Sequence, residues 1–466
     1  MRHILLHSVV LLALSVGVAA QTVIPGKQVY IPSDLRSNDF ESDTAQWSYK
    51  RMELTPDFAI FWERGFGDDL KNPPQLEGHD MTFDMGNLKQ RLETFYAYYR
   101  DTLQFIRPGS VAERYRMMVM VNYSLDGTAY GGDYDEVIGA FWVAPNRIKD
   151  TRLNCVAHEL GHSFQMQTYC DKKAQGLVRE EDGRWFGGGF YEMASQWMLW
   201  HVNPDWIKDE LFHWEAYKQQ THKALLHWEN VYHTPYALEW WSQQHGLTII
   251  GNIFREGVNP EDPAETYMRL TSQSVASFYD ELFDAHRHTV FLDFRHARQQ
   301  TRQYAGGFST PLIDEARGYY STIAASAGRW LRVPPAVAPE SGGFNAICVP
   351  APAKGSSISI DFEGITSAGG YNISLPTEAG WRYGFVALMA DGTCQYSPIY
   401  NKVRGRATFT APRSQSVEQL YLVVMGAPTS YRHISYPHDD DEPADSSRPA
   451  TEPGYGQWPY RLRYSN

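Results

Sequence analysis

The sequence predicts an α+β protein in two parts: a mixed part whose lower half is helical, then a C-terminal antiparallel β-sandwich. Three observations predict it. Between residues 57 and 145, three apolar runs of strand length surround one amphipathic helix. From about 190 to 300 the spacing turns helical and rich in aromatic side chains. After about 325, short strand-like runs alternate with Pro, Gly and Ser turns.

Taken in order, "DFAIFWERG" (57–65) reads as a strand. "NLKQRLETFYAYYRDTLQF" (87–105) is an amphipathic helix with Leu88, Leu92, Phe95, Tyr96, Tyr99 and Leu103 on one face. "YRMMVMVNYS" (115–124) is an apolar strand, "DGTAYGGDYD" (126–135) carries turn glycines, and "VIGAFWVAP" (137–145) is another strand. "FYEMASQWMLWHV", "DELFHWEAYKQQTHKALLHW", "YALEWWSQQHG" and "VASFYDELFDAHR" have helical spacing. "GRWLRVP", "GFNAICVP", "SISIDFEG", "RYGFVALMA", "RATFTAP", "QLYLVVMG" and "YRLRYS" are the strands of the sandwich.

Residues 1–20 have the form of a secretory signal: a short polar start, an apolar stretch too short to span a membrane, and small residues before Gln21. The predicted organisation is a signal at 1–20, a loose polar leader at 21–45, one domain at 46–324, and a β-sandwich at 325–466 that folds as its own unit. The expected mature protein is secreted, extracellular or periplasmic, without a transmembrane anchor. The formal charge of −12 argues against nucleic acid and anionic lipid as partners. Of four cysteines, Cys348 and Cys394 in the strand-rich tail are the candidate disulfide. Cys155 and Cys170 on one helix would be about 22 Å apart, too far to pair, and read as buried thiols. "HDDDEPADSS" (438–447) reads as a charged, solvated loop.

The chemistry concentrates in "CVAHELGHSFQMQ" (155–167). Two histidines at i and i+4 project from one helical face, so His158 and His162 can each give one neutral nitrogen to a zinc ion. Glu159, beside the first, can act as general base toward a water activated by the zinc. The competing reading is a pair of surface histidines on an ordinary helix. Gly161 faces away from the metal, where it would allow close packing. No histidine follows at the spacing HExxHxxGxxH requires, so the third ligand must come from elsewhere. "GGGFYEMASQWMLW" places Glu192 at the start of a second helix, where it completes a His–His–Glu set or simply favours the helix dipole. Glu180, Glu181 and Asp182 are closer but lie in what reads as an exposed loop. An oxyanion donor is sought in "ENVYHTPYALEWW", which offers Tyr232, His233 and Tyr236. Tyr236 and His233 are carried forward as catalytic candidates. "GAFWVAP" is either the edge strand on which an extended peptide pairs or an ordinary sheet strand.

"HELGHSFQ" with "FYEMASQ" resembles the gluzincin zinc metallopeptidases, and most of all their enhancin and mucin-degrading branch. It is also similar to secreted bacterial domains of unknown function with this arrangement. The resemblance implies a zincin-like catalytic domain, Zn2+ as cofactor, His158, His162 and Glu192 as ligands, and Glu159 as base. It implies a metallopeptidase acting on a protein or glycoprotein. The sequence departs from the common gluzincin pattern at Gln196, where an aspartate usually orients a histidine. A carbohydrate- or glycoprotein-binding protein with a vestigial or structural metal site is the alternative. It draws on the sandwich and on 14 Trp and 29 Tyr. Such a protein has no need of Glu159.

Overall fold

A computed structural model of the chain describes residues 26–178, 185, 187–434 and 455–465. The signal at 1–20, Glu180, Glu181, Asp182 and the charged loop at 438–447 lie outside the described residues.

The protein is α+β. Its first sheet has the order β1-β2-β3-β5-β4, from Met52–Leu54 (β1), Phe58–Trp62 (β2), Met117–Val121 (β3), Tyr130–Tyr134 (β4) and Ile138–Val143 (β5). β2, β3 and β5 run parallel, while β1 and β4 are antiparallel to their neighbours. Every residue of β2 and β3 is buried, because both faces of the sheet are covered. Phe58 meets Tyr96 of helix α1 (Met85–Ala97) on one face, and Phe61 meets Phe40 on the other. Residues 26–45 are therefore not the loose leader the sequence suggests. Phe40 is buried, and Gln28 pairs with Tyr115 in a short parallel bridge. All six apolar positions assigned to this face are buried, Leu88, Leu92, Phe95 and Tyr96 on α1 and Tyr99 and Leu103 just beyond it. α1 ends at Ala97 and widens into a π-turn over Tyr98–Thr102, from which Tyr99 donates to the Ala157 carbonyl at 2.9 Å.

Helix α2 (Asn154–Ala174) lies against β4, β5 and α1, and carries both Cys155 and Cys170 as free thiols. Helix α3 (Phe190–Val202) crosses it. The rest of the helical half is α4 (Trp206–Asp209), α5 (Leu211–Gln220), α6 (Tyr236–His245), α7 (Ile249–Glu256), α8 (Pro263–Thr271), α9 (Val275–Val290) and α10 (Arg298–Thr301). The helix expected over 209–228 stops at Gln220, and α7 and α8 were not expected.

The C-terminal part is an antiparallel sandwich. One sheet has the order β12-β11-β14-β9 and the other β13-β10-β15-β8-β6-β7. The strands are Leu312–Asp314 (β6), Tyr319–Ser321 (β7), Leu331–Arg332 (β8), Phe344–Val349 (β9), Ser357–Gly364 (β10), Trp381–Met389 (β11), Cys394–Tyr396 (β12), Arg404–Thr410 (β13), Val417–Gly426 (β14) and Tyr460–Ser465 (β15). The sandwich thus begins at Leu312, ahead of the composition shift at 325, with a hairpin whose two strands are only three residues each. Its inner core gathers Ile360, Phe362, Trp381, Phe385 and Leu422. The other face of the first sheet is not free. Val386, Tyr421, Val423 and Met425 belong to the same buried cluster as α9 and the rest of the helical half. Cys348 on β9 and Cys394 on β12 are at opposite edges of one sheet, three strand spacings of about 4.8 Å apart. The disulfide expected between them is absent, and both are free thiols.

Candidate metal centre

The site forms where α2 and α3 cross. They lie close at Gly161, where an added Cβ would lie 2.8 Å from Ser195 Oγ, so the glycine lets the helices that carry His158, His162 and Glu192 come together. β4 closes the other side: an added Cβ at Gly131 would lie 2.2 Å from the Glu159 carbonyl and 2.6 Å from His162 Cβ. The "YGGDY" run reads as a turn in sequence, yet its glycines are what let a strand lie directly on the helix.

Three ligand-type atoms converge there. His158 Nε2 is 3.0 Å and His162 Nε2 is 3.2 Å from Glu192 Oε2, and the two Nε2 atoms are 3.1 Å apart. The Glu159 carboxylate lies within 4.8 Å of both imidazoles. Glu159 and His162 are buried, while His158 and Glu192 are partly so.

Two glutamines decide which nitrogen of each ring carries its proton. Gln165 Nε2 donates to the Tyr191 carbonyl and to Ser195 Oγ, both at 3.0 Å. Its oxygen is thereby turned to His162 Nδ1 at 3.0 Å, where it can only accept. Gln196 Nε2 donates to the Tyr232 carbonyl at 2.9 Å, which turns its oxygen to His158 Nδ1 at 3.2 Å. Each amide oxygen accepts from Nδ1–H, which leaves Nε2 as the nitrogen that both rings turn to the common point. Gln196 thus fixes the His158 ring with an amide oxygen.

Three acceptors facing one another repel unless a positive charge sits among them. Burial alone would lower the His158 pKa, but the hydrogen bond and charge of Glu192 override it and push it up to about 9. Burial would raise Glu192, but both imidazoles hold it well below the carboxylate range. One proton can serve only part of this cluster, whereas a metal ion serves all three atoms. Ligands placed tetrahedrally about zinc at 2.0–2.1 Å sit about 3.3 Å apart, close to the spacing found here. The residues fit the metal.

The other expected residues fall differently. Tyr236 is fully buried among Trp200, Trp214, Tyr217 and Phe294, which makes it a core residue and not an oxyanion donor. His233 reaches the cluster only indirectly: its Nδ1 is 2.6 Å from His213 Nδ1, and His213 Nε2 is 3.2 Å from Gln196 Nε2. Burial, then the charge of His213, lowers its pKa to about 4. The aromatic at the site is Tyr232, whose ring stacks over His158 with centroids 6.2 Å apart while its side chain stays exposed. "GAFWVAP" holds β5, which is internal; the sheet edge beside the site is β4. Gln165 and Ser195 were not assigned roles from sequence.

No curated protein matches the chain. The model of a family described as "Family of unknown function (DUF6055)" matches residues 21–466, and the chain belongs to that family.

Proposed function

We propose that the protein is a zinc-dependent hydrolase that cleaves peptide bonds, with a protein or glycoprotein as substrate. The observation that carries this reading is the convergence of His158, His162 and Glu192, with both imidazole protons drawn away to Gln165 and Gln196. These three residues would hold the ion. When bound, zinc supplies a Lewis acid that polarises a carbonyl and acidifies water.

The chain's own groups do the rest. Glu159 is next to the ligands without completing the acceptor triangle, so its carboxylate is left to take a proton from the attacking water and pass it to the leaving amine. Tyr232, over His158, is the donor placed to meet negative charge developing on the carbonyl oxygen. Among the described residues β4 pairs with β5 on one side, so its outer edge offers backbone groups to an extended segment beside Glu159.

The Glu159→Gln protein tests the reading. Zinc content and fold should be unchanged, and hydrolysis of any substrate found in a panel of proteins and mucin-type glycoproteins should fall about 10²-fold or more. Equal cleavage by fully metallated Glu159→Gln protein would remove Glu159 from the role of base. A fully metallated wild type that cleaves nothing while holding glycans tightly would favour the binding-protein alternative.

A further inference from the structure

The outer face of the six-stranded sheet carries an arrangement that the metal centre does not use. The register aligns Arg404 on β13, Glu363 on β10, Arg461 on β15 and Arg332 on β8 in one transverse row. Asp361 forms the next row with Arg406 and Arg463. Each carboxylate lies between two guanidiniums. Glu363 is 2.7 Å from Arg404 and 2.9 Å from Arg461, and Asp361 is 2.8 Å from Arg406 and 3.0 Å from Arg463.

Each triad therefore keeps one uncompensated positive charge. Arg332 adds a third: it makes no ion pair among the described residues, and its Nε is buried without a hydrogen-bond partner. Glu315, 3.3 Å from Arg461, offsets one of the three. The excess is of the opposite sign to the chain, whose formal charge is −12. The guanidiniums of Arg461 and Arg463 both stack on Trp330, 4.7 and 4.9 Å from its ring centroid. Arg404 and Arg406 remain 79% and 59% exposed. At the end of the first row Tyr320 stands 66% exposed.

We infer that this face docks an acidic polysaccharide, through carboxylate or sulfate groups on the arginines and a sugar ring on Tyr320. Planar guanidiniums pair with both anions in a bidentate way. Successive residues on one face of a strand are about 7 Å apart, so one extended anionic chain can meet both triads. The guanidiniums stand in two ordered rows across the sheet, a fixed spacing that favours an extended polymer over a lipid surface.

The test is binding of the full chain to polygalacturonate (carboxylate), heparin (sulfate) and neutral dextran, with vesicles of equal parts phosphatidylglycerol and phosphatidylcholine as a separate arm. Salt-sensitive binding to either acidic polymer and none to dextran is expected. Arg404→Gln with Arg406→Gln, both on the exposed edge strand, should weaken it about tenfold. Glu363→Gln, which frees two guanidiniums, should tighten it. Tm of each variant checks that the fold is kept. Absence of binding to both acidic polymers overturns the inference. So does equal binding to dextran, binding to the vesicles alone, or affinity that neither variant changes.

Discussion

Two histidine–carboxylate clusters meet α3, one against α2 through Glu192 and one against α6 through His201, and they obey opposite hydrogen-bond logic. At one, His201 Nε2 donates to Glu239 Oε2 at 2.8 Å, Trp197 Nε1 donates to the same oxygen at 3.1 Å, and Gln243 donates to Oε1 at 2.9 Å. His201 Nδ1 accepts from Tyr98 at 3.1 Å. Every acceptor there meets a donor, and the cluster is complete as it stands. At the other, His158, His162 and Glu192 turn three acceptors toward one point, while their donors are bound elsewhere by Gln165 and Gln196. Proximity of histidine to carboxylate does not mark a metal site. What marks it is the direction in which the protons have been sent.

The sharpest break between the two clusters is in stability. Glu239→Ala removes the acceptor of two buried donors, Trp197 and His201, and of the half-buried Gln243, and should cost about 3 kcal/mol or more, measured by denaturant unfolding, while zinc bound per folded molecule stays unchanged. If Glu239→Ala abolished zinc binding in molecules that remain folded, the two clusters would not be separable.

A smaller effect should follow at the glutamines. Gln165→Leu and Gln196→Leu leave the three ligands in place but free each ring to turn or to carry its proton on Nε2. Zinc affinity, read by competition with a chromophoric chelator, should fall about 10–100-fold in each. Affinity equal to wild type in both would mean that the amides do not set the tautomers.

Glu340, at the junction with the sandwich, extends the comparison to a carboxylate with fewer donors. It accepts from the Ala224 amide at 2.8 Å. Burial pushes it up to about 7, against the pull of that amide and of Lys223. Its folded value lies above its ordinary one near 4.5, so its contribution is full below that value and is lost as pH rises through about 7. Between pH 5 and 8, Glu340→Gln should therefore gain in Tm relative to wild type. A difference in Tm that does not change with pH would contradict the assignment. His222, half-buried, and His227, buried, are common to both proteins and cancel in the comparison.

Sequence shows one half of this contrast and hides the other. Spacing along a single helix is enough to bring His158 and His162 together, and the start of the next helix is enough to suggest Glu192. Gly161 is legible for the same reason, since a glycine inside a helix must be repaid by contact. The groups that distinguish the clusters are scattered along the chain: the donors Tyr98, Trp197 and Gln243 for one, and for the other the carbonyls of Tyr191 and Tyr232, which accept from Gln165 and Gln196. Their convergence depends on helix crossing, which no local pattern records. Tyr236 and Tyr232 look alike in sequence because a buried ring and a site ring have the same chemistry; only packing separates them. β4 is hidden because its glycines serve close approach to α2 rather than a turn. Strand order likewise decides that Cys348 and Cys394 cannot meet, although both sit in strands of the same sheet.

The central claim is that three converging acceptors hold a metal ion. Calorimetric titration of chelator-treated protein with zinc tests it most directly. The account predicts about one site per chain in wild type, a rise in Tm on loading, and loss of both in His162→Ala. Wild type that takes up no zinc, or His162→Ala that binds it as tightly as wild type, would contradict it.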